Sequence, residues 1–452
     1  MTSATAADLL GRPPNIVFLL SDDQRFDTIA ALGNKDIKTP NLDRLVHGGF
    51  AFTHTFCMGS TVPAVCIPSR AMLLTGRSLY RSLAPVTSAN IPPRSALWPE
   101  ELRQAGYTTI GIGKWHNDRP SYTRCFSGGG PIFFGGMSDH DKVPVYDYDP
   151  RGQYPTNKQR IAHVNSSELF ANAAVSFVRT QSTTRPFLLY VAFTSPHDPR
   201  TPPADFAALY EAAKVPLPKN FQPEHPFDNG EMNVRDEKLL PSPRTKEAVR
   251  KEIAAYYAMI THLDHQVGRI LAALDNTGKS ANTIIVFASD HGLALGSHGL
   301  LGKQNLYDHS IRAPLVFSGP RIPRGGRSDA LCYLYDVFPT LCSLAGLRVP
   351  QTVEGKNLAL LMHDRDASLR AEIFGAYGDV QRMVRTERWK LIYYPKIDRT
   401  QLFDLQTDPH ETRDLAAQSR HARTVTGLRN RLAQLQEYYD DPLLAPAKPS
   451  SP

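Results

Sequence analysis

Apolar positions along this chain follow two different rhythms. Short continuous apolar runs occupy 15–20, 108–112, 187–193, 283–288 and 315–317, and each stops at a polar or glycine-rich break. Runs of this length bounded by turns are the pattern of strands buried on both faces of a parallel sheet. Between them, Val249, Ile253, Tyr256, Ile260, Leu263, Val267, Ile270 and Leu274 recur at threes and fours, as one face of an amphipathic helix requires. This alternation predicts an α/β fold with a large, mostly parallel central sheet flanked by helices, spanning residues 1–364. Past about residue 365 the texture changes. Residues 382–385, 390–394 and 402–405 read as short strands and 422–438 as a helix, followed by a Pro-rich tail. Residues 365–452 are therefore expected to form a smaller C-terminal α+β subdomain, an antiparallel sheet of four-stranded type with one helix and a flexible tail. Two intervals, 119–160 and 196–245, are rich in Gly, Pro and charge and read as long loops, where substrate selectivity is expected to reside.

In open α/β sheets ligands gather beyond the carboxyl ends of the strands, so the residues just after each run carry the candidate chemistry. The first run ends in Asp22-Asp23, and the run from Thr283 ends in Asp290-His291. The run around Ile110 ends in Gly113-Lys114-Trp115-His116, and the run from Phe187 ends in Ser195-Pro196-His197. Lys114 and His116, two apart on an extended strand end, are expected to point to the same side. The carboxylates of Asp22, Asp23 and Asp290 suit a hard divalent cation, although each alone also fits a turn or a helix cap. A separate stretch, from Cys66 to Arg77, reads as a short helix. Pro68 suits its first turn, Met72, Leu73 and Leu74 form its body, and Gly76 suits its left-handed end. This places Cys66 at a helix N-terminus, where anions are favoured, with Arg70 one turn further in. Alone, a single cysteine is more often a packing residue.

Cys66-x-Pro-Ser-Arg70 followed by Leu73-Leu-Thr-Gly-Arg77 resembles the signature of type I, formylglycine-dependent sulfatases of the alkaline phosphatase superfamily. Residues 402–415 resemble the closing block of the same family, so the resemblance runs from Asn15 to Leu415. It implies a sulfuric ester hydrolase that releases inorganic sulfate from a small anionic O-sulfate ester, with a carbohydrate favoured as the alcohol. A phosphodiesterase or phosphonate monoester hydrolase of the same superfamily is the alternative. It also implies that a formylglycine-generating enzyme, a transient partner, converts Cys66 to the catalytic aldehyde. One divalent cation is implied, calcium by preference with magnesium or manganese possible, held by Asp22, Asp23, Asp290, His291 and the modified Cys66. His291 stands where many members carry Asn, while members resembling iduronate sulfatases carry His. The same resemblance makes Lys114 and Lys303 the clamps on the sulfate oxygens. It makes His116 the partner of the aldehyde hydrate, and His197 the group that meets the leaving oxygen. Arg70 is expected to hold the hydrate or a metal ligand. His298 is either a turn residue or a support behind the site, and Asp308, His309 and Arg312 receive no role.

Composition narrows the picture further. The 452 residues are 41% hydrophobic and 21% charged, ordinary globular values. The net charge of +7 is dispersed with no basic run, which argues against nucleic acid and fits either a mild field favouring a small anion or simply a solvated surface. No apolar run approaches the roughly 20 residues that cross a membrane. Five cysteines, at 57, 66, 125, 332 and 342, show neither metal-type pairs nor a disulfide framework. Residues 1–14 lack a basic start and an apolar core, so the expected location is cytoplasmic, or periplasmic or secreted if a signal has been removed.

Overall fold

The computed structural model describes residues 12–182, 184–364 and 366–444; the first eleven residues and the expected flexible tail from 445 lie outside them. The central sheet runs in the order Gly326–Ser328, Gly49–Phe56, Arg312–Ser318, Thr283–Ser289, Asn15–Ser21, Phe187–Ala192, Thr108–Lys114, Gly128–Phe133. The last five strands are mutually parallel. Arg312–Ser318 runs antiparallel to both of its neighbours, so the 315–317 run joins the sheet in the reverse sense.

Asn15–Ser21 shows why the apolar runs are unbroken. Successive strand residues face opposite sides of a sheet. Ile16, Phe18 and Leu20 pack in one core with Ala71, Leu73 and Leu74 of the helix Cys66–Thr75. Val17 and Leu19 pack in the other with Phe170 and Ala174 of Ser166–Thr180 and with Leu263, Val267, Ile270 and Leu274 of Lys246–Asn276. With helices on both faces, neither side of the strand can be polar. All five parallel strands then open their carboxyl ends toward the same edge.

The C-terminal sheet pairs Glu372–Tyr377, Gln381–Thr386, Trp389–Tyr394 and Arg399–Asp404 antiparallel, with the helix Ala422–Tyr438 packed against it. Its outermost strand, Gly59–Ser60, comes from the first part of the chain and lies parallel to Glu372–Tyr377. Met58, Val65, Met72, Leu306 and Tyr307 share its core, so the C-terminal sheet buttresses the Cys66 helix directly.

Two expectations need correction. The 119–160 interval is not a plain loop: it holds the helix Arg119–Cys125, the edge strand Gly128–Phe133 and the ribbon Val143–Val145 with Arg160–Ala162. His116 is not on an extended strand end either. The strand stops at Lys114 and His116 has φ of 62°, so a left-handed turn, not strand alternation, aims its ring. The 196–245 interval is irregular apart from single helical turns. Among the described residues, no helix is long and apolar enough to cross a membrane.

Candidate active site

At the carboxyl edge the strand ends converge on Cys66. Its Sγ lies 3.4 Å from Asp22 Oδ1, 3.7 Å from Asp23 Oδ1, 3.3 Å from His291 Nε2 and 3.5 Å from Lys303 Nζ. Asp22 and Asp23 follow one central strand, Asp290 and His291 follow its neighbour, and Asp290 Oδ1 accepts from the Asp23 and His291 amides at 3.0 Å each. The register that pairs Ser21 with Ser289 therefore sets both acidic pairs side by side. Arg70, fully buried, donates from Nε to Asp290 Oδ2 at 3.1 Å and from a terminal nitrogen to the Lys114 carbonyl at 2.8 Å. Its other terminal nitrogen lies 3.6 Å from Asp22. Lys114 pairs with Asp22 Oδ2, and Lys303 grips both oxygens of Asp23 at 2.8 and 2.9 Å. His116 and His197 line the same cavity of about 240 Å³, together with Cys66 and Lys303.

Electrostatics divide the titratable groups sharply. Burial alone would raise the Asp22 carboxyl, but Lys114, with His197, Arg70 and Lys303, holds it well below the carboxylate range. Asp23 is likewise held down, against burial, by Lys303, His197 and His291. Burial, aided by Asp22, pushes the Cys66 thiol well above its ordinary range, so the thiol stays protonated and is a poor nucleophile as encoded. Burial, then the neighbouring lysines, lowers both His116 and His197.

The donor set fits a divalent cation. His291 Nδ1 donates to the Gly292 carbonyl at 2.9 Å, which turns Nε2 toward the carboxylate oxygens of Asp23 at 3.3 Å and Asp290 at 3.7 Å and toward Cys66 Sγ at 3.3 Å. An ion held among these atoms would take the imidazole nitrogen and the carboxylate oxygens as ligands together. Asp22, Asp23, Asp290, His291 and the position-66 side chain can supply the ligands, an oxygen-rich set with one imidazole.

All the residues anticipated from the sequence are drawn together: Asp22, Asp23, Cys66, Arg70, Lys114, His116, His197, Asp290, His291 and Lys303. His298 is excluded from the cavity. It stacks on Tyr307 at 3.9 Å and bonds the Asn220 amide through Nε2. Asp308 belongs to a buried ion cluster with Lys390 and Glu411 at the C-terminal sheet. Residues not anticipated are Arg235, Asp236 and Gln304, which line the cavity, Asp198, whose Oδ1 lies 3.3 Å from His197 Nδ1, and His140, whose Nε2 donates to the His197 carbonyl at 2.9 Å. Asp198 was within reach of sequence reasoning as the direct neighbour of His197. Arg235 and Asp236 carry no local signal within a charged, Pro-rich segment.

Residues 14–347 match the sulfatase family model, and residues 296–438 match the model described as N-sulphoglucosamine sulphohydrolase, C-terminal. An arylsulfatase of Clostridium perfringens is 29% identical over 92% of this chain and 93% of its own. An N-acetylglucosamine-6-O-sulfatase of Bacteroides thetaiotaomicron is 25% identical over 95% of this chain and 87% of its own. The solved structure of BT4656 in complex with its substrate D-glucosamine-2-N,6-O-disulfate superposes with a TM-score of 0.78 at 23% identity, covering 95% of this chain and 99% of that one.

Proposed function

The chain belongs to the sulfatase family and hydrolyses sulfate esters; on that premise we propose that its substrate is an O-sulfated carbohydrate and that Cys66 acts as formylglycine beside a divalent cation. The observation that carries the reading is the convergence of Cys66, three carboxylates, His291 and two lysines on one buried point at the strand ends. The sugar assignment is supported by the relatives, which include an N-acetylglucosamine-6-O-sulfatase. Calcium is the favoured ion for so many oxygens, and the imidazole of His291 leaves room for magnesium or manganese.

The net reaction takes a sulfate monoester and water to an alcohol, sulfate and a proton. When bound, the cation would supply Lewis-acid polarisation of the sulfate oxygens and the modified residue a hydroxyl nucleophile. The chain's own residues do the rest. Lys114 and Lys303 offer fixed, buried ammonium groups, and preorganised charge in such a setting stabilises developing anions strongly. Arg70 holds Asp290, Asp22 and the Lys114 backbone in one rigid frame. His197 donates from Nδ1 to the Asp198 carbonyl at 2.8 Å, so its Nε2 is the nitrogen that serves the cavity and, protonated, gives a proton to the leaving oxygen. His116, whose buried Nδ1 has no hydrogen-bond partner among the described residues, lines the same cavity as Cys66, which supports a role as the base that receives a proton from the group at position 66.

The test is a panel of defined sulfated sugars, an aryl sulfate and the matching phosphate esters. Sulfate release from a sulfated sugar is expected, with Cys66→Ala abolishing turnover of every sulfate ester. Intact mass should show Cys66 with one sulfur and two hydrogens lost and one oxygen gained. Turnover of phosphate or phosphonate esters with sulfated sugars untouched would overturn the assignment.

A further inference from the structure

One helical turn in the long segment 196–245 ties the two sides of the cavity together. Arg235 forks onto Asp198, its two terminal nitrogens lying 2.6 and 2.9 Å from the two carboxylate oxygens. Asp198 Oδ1 in turn lies 3.3 Å from His197 Nδ1. Arg235 also donates to Asp236 Oδ1 at 2.8 and 3.1 Å. The other oxygen of Asp236 accepts from Gln304 Nε2 at 2.9 Å, and Gln304 Oε1 accepts from the Lys303 backbone amide at 3.0 Å. The next residue, Glu237, accepts the Leu301 and Gly302 amides at 2.9 and 2.8 Å, cradling the same loop. Three consecutive residues thus grip the His197 side and the Lys303 side of the site at once.

Exposed ion pairs contribute little to stability, yet this one is not an ordinary exposed pair. Arg235 is 46% exposed at the mouth, but both of its carboxylate partners are nearly buried, at 8% and 10%. The contact with Asp198 is two-pronged, the geometry in which guanidinium fixes direction as well as distance. We propose that Arg235 and Asp236 are positioning residues that set the leaving-group histidine, His197, against the sulfate clamp, Lys303, through Asp198 and Gln304. The inference rests on the sulfatase reading and on His197 as the proton donor. As the sulfur–oxygen bond to the alcohol breaks, its electron pair goes to the leaving oxygen and the proton on His197 Nε2 moves there. Displacing a donor by a fraction of its hydrogen-bond length costs rate only when the leaving group needs that proton. A sugar alkoxide does, and a nitrophenolate, stable as an anion, does not.

The experiment compares kcat for the sulfated sugar turned over fastest in the panel above and for 4-nitrophenyl sulfate in the wild type, Arg235→Gln, Arg235→Lys, Asp236→Asn and His197→Asn. Rates are normalised to folded protein by the amplitude of thermal unfolding. Arg235→Gln and Asp236→Asn are expected to lose about tenfold or more on the sugar sulfate and markedly less on the aryl sulfate, within the range that general acid catalysis supplies. Arg235→Lys, which keeps the charge but not the fork, should recover only part of the loss. His197→Asn should show the same selectivity with a larger loss. Equal losses on both esters in the Arg235 and Asp236 variants, with His197→Asn still selective, overturn the positioning role alone. Equal losses in His197→Asn overturn the donor assignment and the positioning role with it. Failure of the wild type on every sulfated sugar of that panel and on the aryl sulfate overturns the functional reading itself.

Discussion

At the scale of single residues, the most consequential charge outside the catalytic cavity is Lys390. It is fully buried, and its Nζ sits 2.8 Å from Asp308 Oδ1 and 2.7 Å from Glu411 Oε1. Glu411 also accepts the Asp308 amide at 2.8 Å, and Arg385 stands 3.5 Å from Asp308. This cluster joins the C-terminal sheet to the segment that follows Lys303. Removing one partner of a buried ionic group leaves the others uncompensated and costs far more than the cluster's net worth. Lys390→Met is therefore expected to destabilise the protein by about 3–5 kcal/mol. A shift of the urea midpoint equivalent to less than about 1 kcal/mol would show the carboxylates reorganising or taking up a proton instead. The contrast with the catalytic residues explains what the sequence reveals at this scale. Asp22, Asp290 and Lys114 are legible because each follows an apolar run that fixes its place in the fold. Asp308 and Glu411 meet Lys390 across a long sequence separation, and Arg235 meets Asp198 from an irregular segment. No spacing rule connects such pairs, so only the folded chain identifies them.

At the scale of elements, the strand Thr108–Lys114 delivers Lys114 through an unusual bend. Gly113 has φ of +90°, and a Cβ there would lie 2.0 Å from the Ala192 carbonyl oxygen of the neighbouring strand. The pairing with Gly128–Phe133 shifts register between Gly111 and Gly113. The left-handed backbone and close approach require glycine at 113, and the irregularity turns the chain toward the cavity. Gly113→Ala should destabilise the fold by at least about 1–3 kcal/mol from backbone strain. It should also lower turnover in the molecules that remain folded, because Lys114 is the next residue. Normal kcat per folded molecule would show that the bend is not what places Lys114. Elements with strong periodicity are readable in the sequence. The long helix expected over 249–274 spans Lys246–Asn276, and the C-terminal helix lies at Ala422–Tyr438 as anticipated. Gly128–Phe133 was unreadable for a physical reason. Its sequence, Gly-Gly-Gly-Pro-Ile-Phe, lacks strand propensity, and its place at the sheet edge, where a ladder donor can be missing, tolerates Pro131.

At the scale of the whole molecule, charge and burial act together on stability. The chain carries a net charge of +7 with histidines counted neutral. Several of those histidines are buried or half-buried. Burial lowers His298 and His54 to about 3 and His225 and His262 to about 4, from an ordinary value of 6.5. Through these histidines the unfolded chain binds more protons than the folded one between roughly pH 6.5 and 4, so stability falls as pH is lowered through that window. Burial of Glu411, raised to about 7, and of Asp264, raised to about 6, opposes part of the fall. Each such histidine contributes a slope of up to about 1.4 kcal/mol per pH unit, and added positive charge on an already basic chain acts in the same direction. The melting temperature is expected to drop clearly between pH 7 and pH 5. His298 allows this cause to be separated from general charge repulsion. Its φ of 53° is one that asparagine also adopts, and its Nε2 accepts from the Asn220 amide, a bond that protonation must break. His298→Asn should lower stability at pH 7 through the lost stacking on Tyr307, yet reduce the slope of stability against pH. Equal slopes in wild type and variant, measured by denaturant unfolding at several pH values, would place the acid sensitivity in overall charge and not in the buried imidazole.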